Sequence, residues 1–447
     1  MATHVKDMTQ GRPGSLIVKF ALPLMLGNVF QQLYTVVDTM VVGKALGVGA
    51  LAAVGASDWM NWLMLGVVQG LTQGFAIRMA QKFGAKEEEK LRQTVGLSTV
   101  LSILSAVVLM LIGQLAVGPV LDIMNTPVEI RPNAVLYLRI MFVGIPVVMA
   151  YNLLACILRS LGDGKTPLNA MIVASIINIV LDIVFVVFFR WGIAGAAIAT
   201  LIAQVFSGIF CFWKLRQIKM LRLSRSHFRW EGKGALTLFK LGIPMAFQNA
   251  IISVGGMIVQ SVVNGLGVLF IAGFTATNKL YGILEIAATS YGYAMITYVG
   301  QNLGAKKVDR IRQGQRAAIV IAIITSVVIA AFMILCGKFI LSSFISGTPE
   351  EVTETLRIAY YYLVIMSLFL PVLYVLHVTR ATIQGMGNTV LPMASGIAEF
   401  VMRTGAALLL PLLVGDTGIF YAEILAWIGA DLILIPSYYY VISKVDR

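Results

Sequence analysis

Three carboxylates in the first half of this chain, Asp38, Asp58 and Asp182, stand inside long apolar runs. An ionisable group in such surroundings is costly and usually faces a partner or a water-filled pathway. Asn178 precedes Asp182 by four residues, so amide and carboxylate share one helix face. Counted from the outer ends of their runs, Asp38 lies ~6 Å deep, Asp182 ~10 Å and Thr200 ~12 Å. Two carboxylates, an amide and a hydroxyl at similar depth are oxygen ligands suited to a hard cation. The carboxylate pair also suits proton binding, because low dielectric and mutual repulsion both disfavour two bare charges. Asn178 and Thr200 serve equally well as bonds between neighbouring helices. Asp58 lies near the end of its run, within reach of interfacial water.

The second half offers a different set: Lys279, Glu285, Glu399, Arg403 and Asp431. Glu399 and Arg403 are four apart and can neutralise each other along one face. Glu285 can attract a cationic substrate or pair with Lys279. Met25, Phe30, Tyr34, Met257 and Tyr281 suit an adaptable apolar cavity, or simple packing. Cys156, Cys211 and Cys336 have no metal-ligand spacing and no expected disulfide, and the three histidines are scattered. There is no phosphate-binding loop and no nucleophile–base arrangement, which excludes direct use of ATP and argues against a membrane-embedded enzyme. No cofactor is expected.

The elements that must carry these residues follow from composition. Of 447 residues 58% are hydrophobic and 12% charged, with a mean hydropathy of +0.87. That excludes a water-soluble globular enzyme, which carries about 25% charged residues. A bilayer core of ~30 Å needs about 20 apolar helical residues. Twelve such runs are present, at 16–42, 51–80, 94–117, 134–158, 168–189, 192–213, 241–263, 271–300, 317–341, 356–379, 391–413 and 418–441. The first is too long for a signal peptide and reads as a retained span. The net charge of +13 is a topology signal: 26 of the 34 basic residues, Arg380 among them, fall on one face of this arrangement. The positive-inside rule makes that face cytoplasmic, with both termini on it. The chain is expected in contact with lipid and not with nucleic acid.

The first half recurs in the second. Lys19, Pro23 and Asn28 return 221 residues on as Lys240, Pro244 and Asn249. Gly84-Ala85-Lys86 returns as Gly304-Ala305-Lys306 at 220, and Gly162, Gly164 and Thr166 as Gly385, Gly387 and Thr389 at 223. An ordered set at a nearly constant offset marks a duplication. It divides the chain into an N-lobe over 1–213, a basic cytoplasmic linker over 214–240 and a C-lobe over 241–447. Six spans per copy give parallel repeats with a path between them, the arrangement of alternating access rather than of a channel. The acidic cluster was not duplicated, since the offsets set Val259 and an apolar stretch opposite Asp38 and Asp182. Prolines at 23, 146, 244, 371 and 436 are expected to kink their spans.

The segment Pro23–Asp38 with Gly43 and Gly47, the loop Arg159–Pro167 and the loop Gln384–Asn388 resemble markers of multidrug and toxic compound extrusion (MATE) transporters. The combination Asp38, Asn178, Asp182, Thr200 resembles the N-lobe coupling site of the prokaryotic DinF-like branch. The resemblance implies an all-α membrane protein of twelve transmembrane helices in two six-helix bundles, set in a V. It implies export of organic cations or amphipathic compounds by proton or sodium antiport, with the coupling cation at Asp38 and Asp182, assisted by Asn178 and Thr200. Gln31 falls where that family's N-lobe cavity contacts drugs, with Tyr34 beside it. Glu285, Glu399 and Arg403 are the C-lobe candidates for substrate contact. A flippase for lipid-linked intermediates is the alternative within the superfamily, and the chain is expected to act as a monomer.

Overall fold

The computed structural model describes residues 4–124, 126–343, 345 and 348–446. The described residues are helical almost throughout, as their continuous apolar runs require. In the first half the helices are α1 (Pro13–Leu46), α2 (Val48–Gly84), α3 (Glu88–Ile123), α4 (Arg131–Val143), α5 (Ile145–Ser160), α6 (Lys165–Asp182) and α7 (Ile193–Arg216). The second half has α8 (Gly232–Val263), α9 (Val268–Gly304), α10 (Val308–Ser342), α11 (Pro349–Leu368), α12 (Leu370–Gly385), α13 (Val390–Val414) and α14 (Ala422–Val445).

Among the described residues nine segments are long and apolar enough to cross a bilayer, and two bent pairs, α4 with α5 (47°) and α11 with α12 (49°), are so when each pair is taken as one span. Eleven of the twelve expected segments are thereby matched among the described residues; the twelfth, 271–300, lies on α9, which is long enough but interrupted by Lys279 and Glu285. Two of the five prolines account for the bends: Pro146 and Pro371 each occupy the first turn of the second helix of a pair, where the missing N–H costs least. Pro23, Pro244 and Pro436 lie inside helices that run through them unbroken. Many outward-facing side chains are large and apolar, such as Val108, Leu111 and Leu115 on α3 and Ile324, Val327 and Val328 on α10. Such a surface suits hydrocarbon, not water.

The duplication is written into the backbone. Ten described residues take a left-handed conformation, and eight of them pair across the repeat: Gly47 with Gly267, Lys86 with Lys306, Gly162 with Gly387, and Gly192 with Gly415. This corrects one register. The loop after α5 matches the loop after α12 at an offset of 225, not 223, so that Gly162 faces Gly387, Asp163 faces Asn388 and Pro167 faces Pro392. The local bonds agree: Asp163 Oδ1 accepts from the backbone N–H of Thr166, and Asn388 Oδ1 from that of Leu391, each three residues on. After α6 the offset falls back to 223, because the first copy has a surplus there. The surplus sits at a π-helical turn, Ile183–Phe188, and the unpaired left-handed Arg190 follows it. The expected uniform α-span over 168–189 therefore changes helix type directly after Asp182.

Two compact units emerge from the packing. One holds the chain up to Gln10, Leu22–Ala250 and Gly304–Lys306; the other holds Gly11–Ala21, Ile251–Leu303 and the chain from Lys307 onward. The segment 214–240 packs within the first unit: Arg92 donates to the Met220 carbonyl at 2.8 Å, and the His227 ring meets Glu89 at 2.9 Å. In its short loop before α3, Glu87 takes Lys82 and Lys90 as partners, which hold its carboxyl down at about 2. Within the same unit α2 crosses the first turns of α8 at backbone contact. Gly70 and Gly74, four apart on one face, lie against Ala246 and Gly242, and a Cβ built on either glycine would stand 2.4 Å from a backbone atom. Small residues permit such close approach between membrane helices. Gly74→Val should lower the thermal unfolding midpoint in detergent, at a cost of about 1–3 kcal/mol for forcing the helices apart. Gly208→Ala, where a Cβ meets open space, should leave it unchanged.

Candidate functional site

Within the first unit α1 and α6 bring the two expected carboxylates together, Asp38 within hydrogen-bonding reach of Asp182. Asp182 is fully buried and Asn178, one turn back, is 1% exposed. The Asn178 amide nitrogen donates to Thr200 Oγ1 on α7 at 3.3 Å, and that hydroxyl donates to the Ala196 carbonyl at 3.1 Å. Tyr34, one turn before Asp38, lines a narrow cleft with Asn178 and Thr200. Tyr151, Gln204 and Ser207 complete the polar lining. Gln31 lies one turn further back on α1, outside that lining.

The chemistry lies in what these groups lack. Asp38 Oδ1, both Asp182 carboxylate oxygens, Asn178 Oδ1 and Gln204 Oε1 are buried acceptors without a donor among the described residues. Asp38 and Asp182 likewise have no basic side chain paired with them among the described residues. Buried acceptors left empty are costly, and a buried charge needs a counter-charge. The arrangement therefore calls for a proton, a cation or a donor-bearing ligand. Gln204, on the face of Thr200 one turn along α7, was missed in the sequence, although its spacing of four from Thr200 carries the signal. Asp58 is exposed.

The second unit handles its charges in the opposite way. Arg403 on α13 contacts Glu399 at 2.9 Å and Glu423 at 2.7 Å, and Arg380 on α12 contacts Glu399 at 2.7 Å. Arg403 also donates to the Ile252 carbonyl at 3.2 Å, and Arg380 to the Ser395 hydroxyl at 3.3 Å. Two guanidinium groups and two carboxylates thus form one neutral chain. The expected Glu399–Arg403 pair is present but is only its middle. Arg380, counted in a cytoplasmic loop, is in fact 7% exposed inside the bundle, because α12 continues to Gly385 and keeps Arg380 beside α13. Glu285 meets His377 at 3.3 Å rather than Lys279. Asp431 is buried, with Oδ1 lacking a donor among the described residues.

The repeat register lets the two sites be compared position by position. At an offset of 225 Asn178 corresponds to Arg403, and at 223 Thr200 corresponds to Glu423. The amide–hydroxyl bond of the first copy is therefore an ion pair in the second. Tyr34 corresponds at 221 to Gly255, and a Cβ on Gly255 would stand 3.4 Å from the Arg403 side chain. The guanidinium occupies the room that the glycine leaves, where the first copy has a tyrosine and a cleft.

The MatE family model matches residues 23–184 and again 244–408, so its two matches fall on the two copies. The probable multidrug resistance protein YpnP of Bacillus subtilis is 32% identical over 306 residues, 68% of each chain. YoeA, a probable multidrug resistance protein of the same organism, is 31% identical over 354 residues, 77% of this chain and 75% of that one. Among solved structures, a MATE protein in complex with MaL6 has the same fold, with a TM-score of 0.91 at 22% identity over 100% of this chain and 99% of that one.

Removing one member of the neutral chain should be severe. Arg403→Gln leaves Glu399 short of a partner and Glu423 with none, and a broken buried pair costs about 3–5 kcal/mol. The thermal midpoint of purified protein should fall by far more than for Arg357→Gln, whose pair with Glu354 is exposed.

Proposed function

Because the chain belongs to the MatE family of multidrug efflux transporters, a membrane transporter and not an enzyme, we infer that it is an antiporter exporting organic cations or amphipathic compounds against a proton or sodium gradient. The observation that carries the reading is the pair of carboxyls at Asp38 and Asp182, with their orphan oxygens and no basic partner among the described residues. In this reading a cation entering from outside, either H+ or Na+, occupies the pair. Asn178 and Thr200 supply an amide and a hydroxyl oxygen beside it. A protonated or cationic substrate competes for the same unmet negative charge, with Tyr34 and Gln31, on the same helix as Asp38, as its contacts. If both ligands bias one two-state equilibrium in opposite directions, the coupling is reciprocal: the ion weakens substrate binding by the factor that substrate weakens ion binding. The neutral chain around Arg403 presents no comparable demand, so cation dependence is assigned to the first unit, with Glu285, Glu399 and Arg403 left to shape substrate contact in the second.

The protein is placed in the inner membrane with both termini and the 214–240 segment cytoplasmic, on the weight of basic residues on that face. A flippase of lipid-linked intermediates is the lesser reading, since it would favour a basic cavity where the first unit has two carboxyls. Lys219→Cys and Lys233→Cys in otherwise cysteine-free protein should react with an impermeant maleimide only from the cytoplasmic side.

The central test is ethidium efflux from proteoliposomes under an imposed proton or sodium gradient. Asp38→Asn and Asp182→Asn should each abolish gradient-driven efflux while the protein still folds and reconstitutes. Full efflux by Asp38→Asn would remove the coupling site from Asp38.

A further inference from the structure

Lys279 is an ionisable residue in a membrane-spanning helix that neither the coupling site nor the neutral chain absorbs. It sits eleven residues into α9, about 16 Å along the helix from Val268. Its side chain is exposed, and it has no hydrogen bond or ion pair among the described residues. Of the other intramembrane charges discussed for the second unit, Glu285, Arg380, Glu399, Arg403 and Glu423 each have a partner of opposite charge or an ionisable ring beside them, and Asp431 is buried away from solvent. Lys279 instead faces a cavity of about 390 Å³. That volume lies in the range of small-molecule sites, ~300–1,000 Å³.

The lining gives the cavity a direction. Val268, Leu269 and Ala272 on α9 supply an apolar wall. Thr275, one turn from Lys279 on the same face, and Thr355 on α11 supply polar groups, and the ammonium supplies the only positive charge of the lining. The other charged lining residue is Glu351, which is exposed and keeps its charge, with one carboxylate oxygen, Oε2, already engaged. It accepts the backbone N–H of Thr348 at 3.0 Å and completes the cap of α11. Glu351 therefore faces back onto its own helix end, while Lys279 keeps three donors without acceptors. An apolar wall, hydroxyls and one unpaired ammonium complement a molecule with an apolar body and a single anionic oxygen head.

We propose that this cavity of the second unit is a binding site for small amphipathic carboxylates, held by Lys279. The exporter would then accept zwitterionic and acidic compounds besides cations. This substrate role rests on the transport reading; the binding itself does not. The carboxylate would take a charge-assisted hydrogen bond from the Lys279 ammonium, with its apolar body against Val268, Leu269 and Ala272.

Binding is measured on the purified full-length protein in phosphatidylcholine nanodiscs, by emission of dansylglycine and of its neutral analogue dansylglycinamide. Wild type should bind the acid about tenfold more tightly than the amide, the effect of one charge-assisted hydrogen bond. Lys279→Gln should abolish that preference and Lys279→Arg should restore it, with thermal midpoints reporting that each variant is folded. Equal binding of acid and amide by wild type, or equal weakening of both in Lys279→Gln, overturns the proposal. Repeating the titration in phosphatidylglycerol nanodiscs separates the two sources of an anionic head. Displacement of dansylglycine by that lipid would assign the site to a lipid headgroup and overturn the small-carboxylate assignment. Ethidium efflux by wild type is scored separately: its absence would sink the exporter reading while leaving a measured carboxylate preference standing.

Discussion

A charge removed from water into a helical bundle must be met by an opposite charge, a shared proton or a bound ion, and the two copies of this repeat meet that demand differently. In the second copy Arg380, Glu399, Arg403 and Glu423 sum to zero, and Asp431 alone among its buried carboxyls described above keeps an oxygen without a donor among the described residues. The first leaves Asp38 and Asp182 beside each other with nothing positive bonded to them among the described residues. A self-neutralised network resists change in occupancy, because every member already has its partner. An uncompensated pair can respond to ions arriving from outside. The two copies thus carry unequal charge compensation on equal scaffolds.

The scaffold that holds this difference is rigid where the backbone is crowded. Gly70 and Gly74 let α2 lie directly on the first turns of α8, and left-handed residues end elements at equivalent points in both copies. The bends at Pro146 and Pro371 then set the direction of α5 and α12. From α12, Arg380 reaches Glu399; from α5, Tyr151 reaches the cleft beside Asn178. The same geometry thus delivers a charge to one bundle and a phenol to the other.

Much of this is legible in the sequence, for identifiable reasons. Helix spans could be read because hydrocarbon demands long apolar runs. Asp38, Asn178 and Asp182 stood out because polar residues in those runs are few. The duplication showed in Pro23 and Pro244 and in the Gly-Ala-Lys turns. What stayed hidden depended on register or on partners distant in the chain. Arg380 looked like a loop residue because it lies five positions before a glycine, and nothing local reveals that α12 extends past it to Gly385. Glu423 pairs across twenty residues with Arg403, a separation at which no periodicity speaks. The slip from 225 to 223 could not be assigned without the π-helical turn after Asp182, since residue types in that stretch, Ile183 to Phe188, are compatible with any apolar helix.

The neutral chain also bears on how such a protein can change over generations. From an amide–hydroxyl pair like Asn178–Thr200, a lineage reaches Arg403–Glu423 only through an intermediate with one buried charge unmatched. Return by single steps meets the same barrier, now raised by Glu399 and Arg380 leaning on the same guanidinium. Substitutions in such a cluster are coupled, so their order matters. Divergence between the two copies is therefore a ratchet. The first bundle, which lacks such a cluster, stays freer to change at Asn178 and Thr200, while the second is held in its arrangement by its own network.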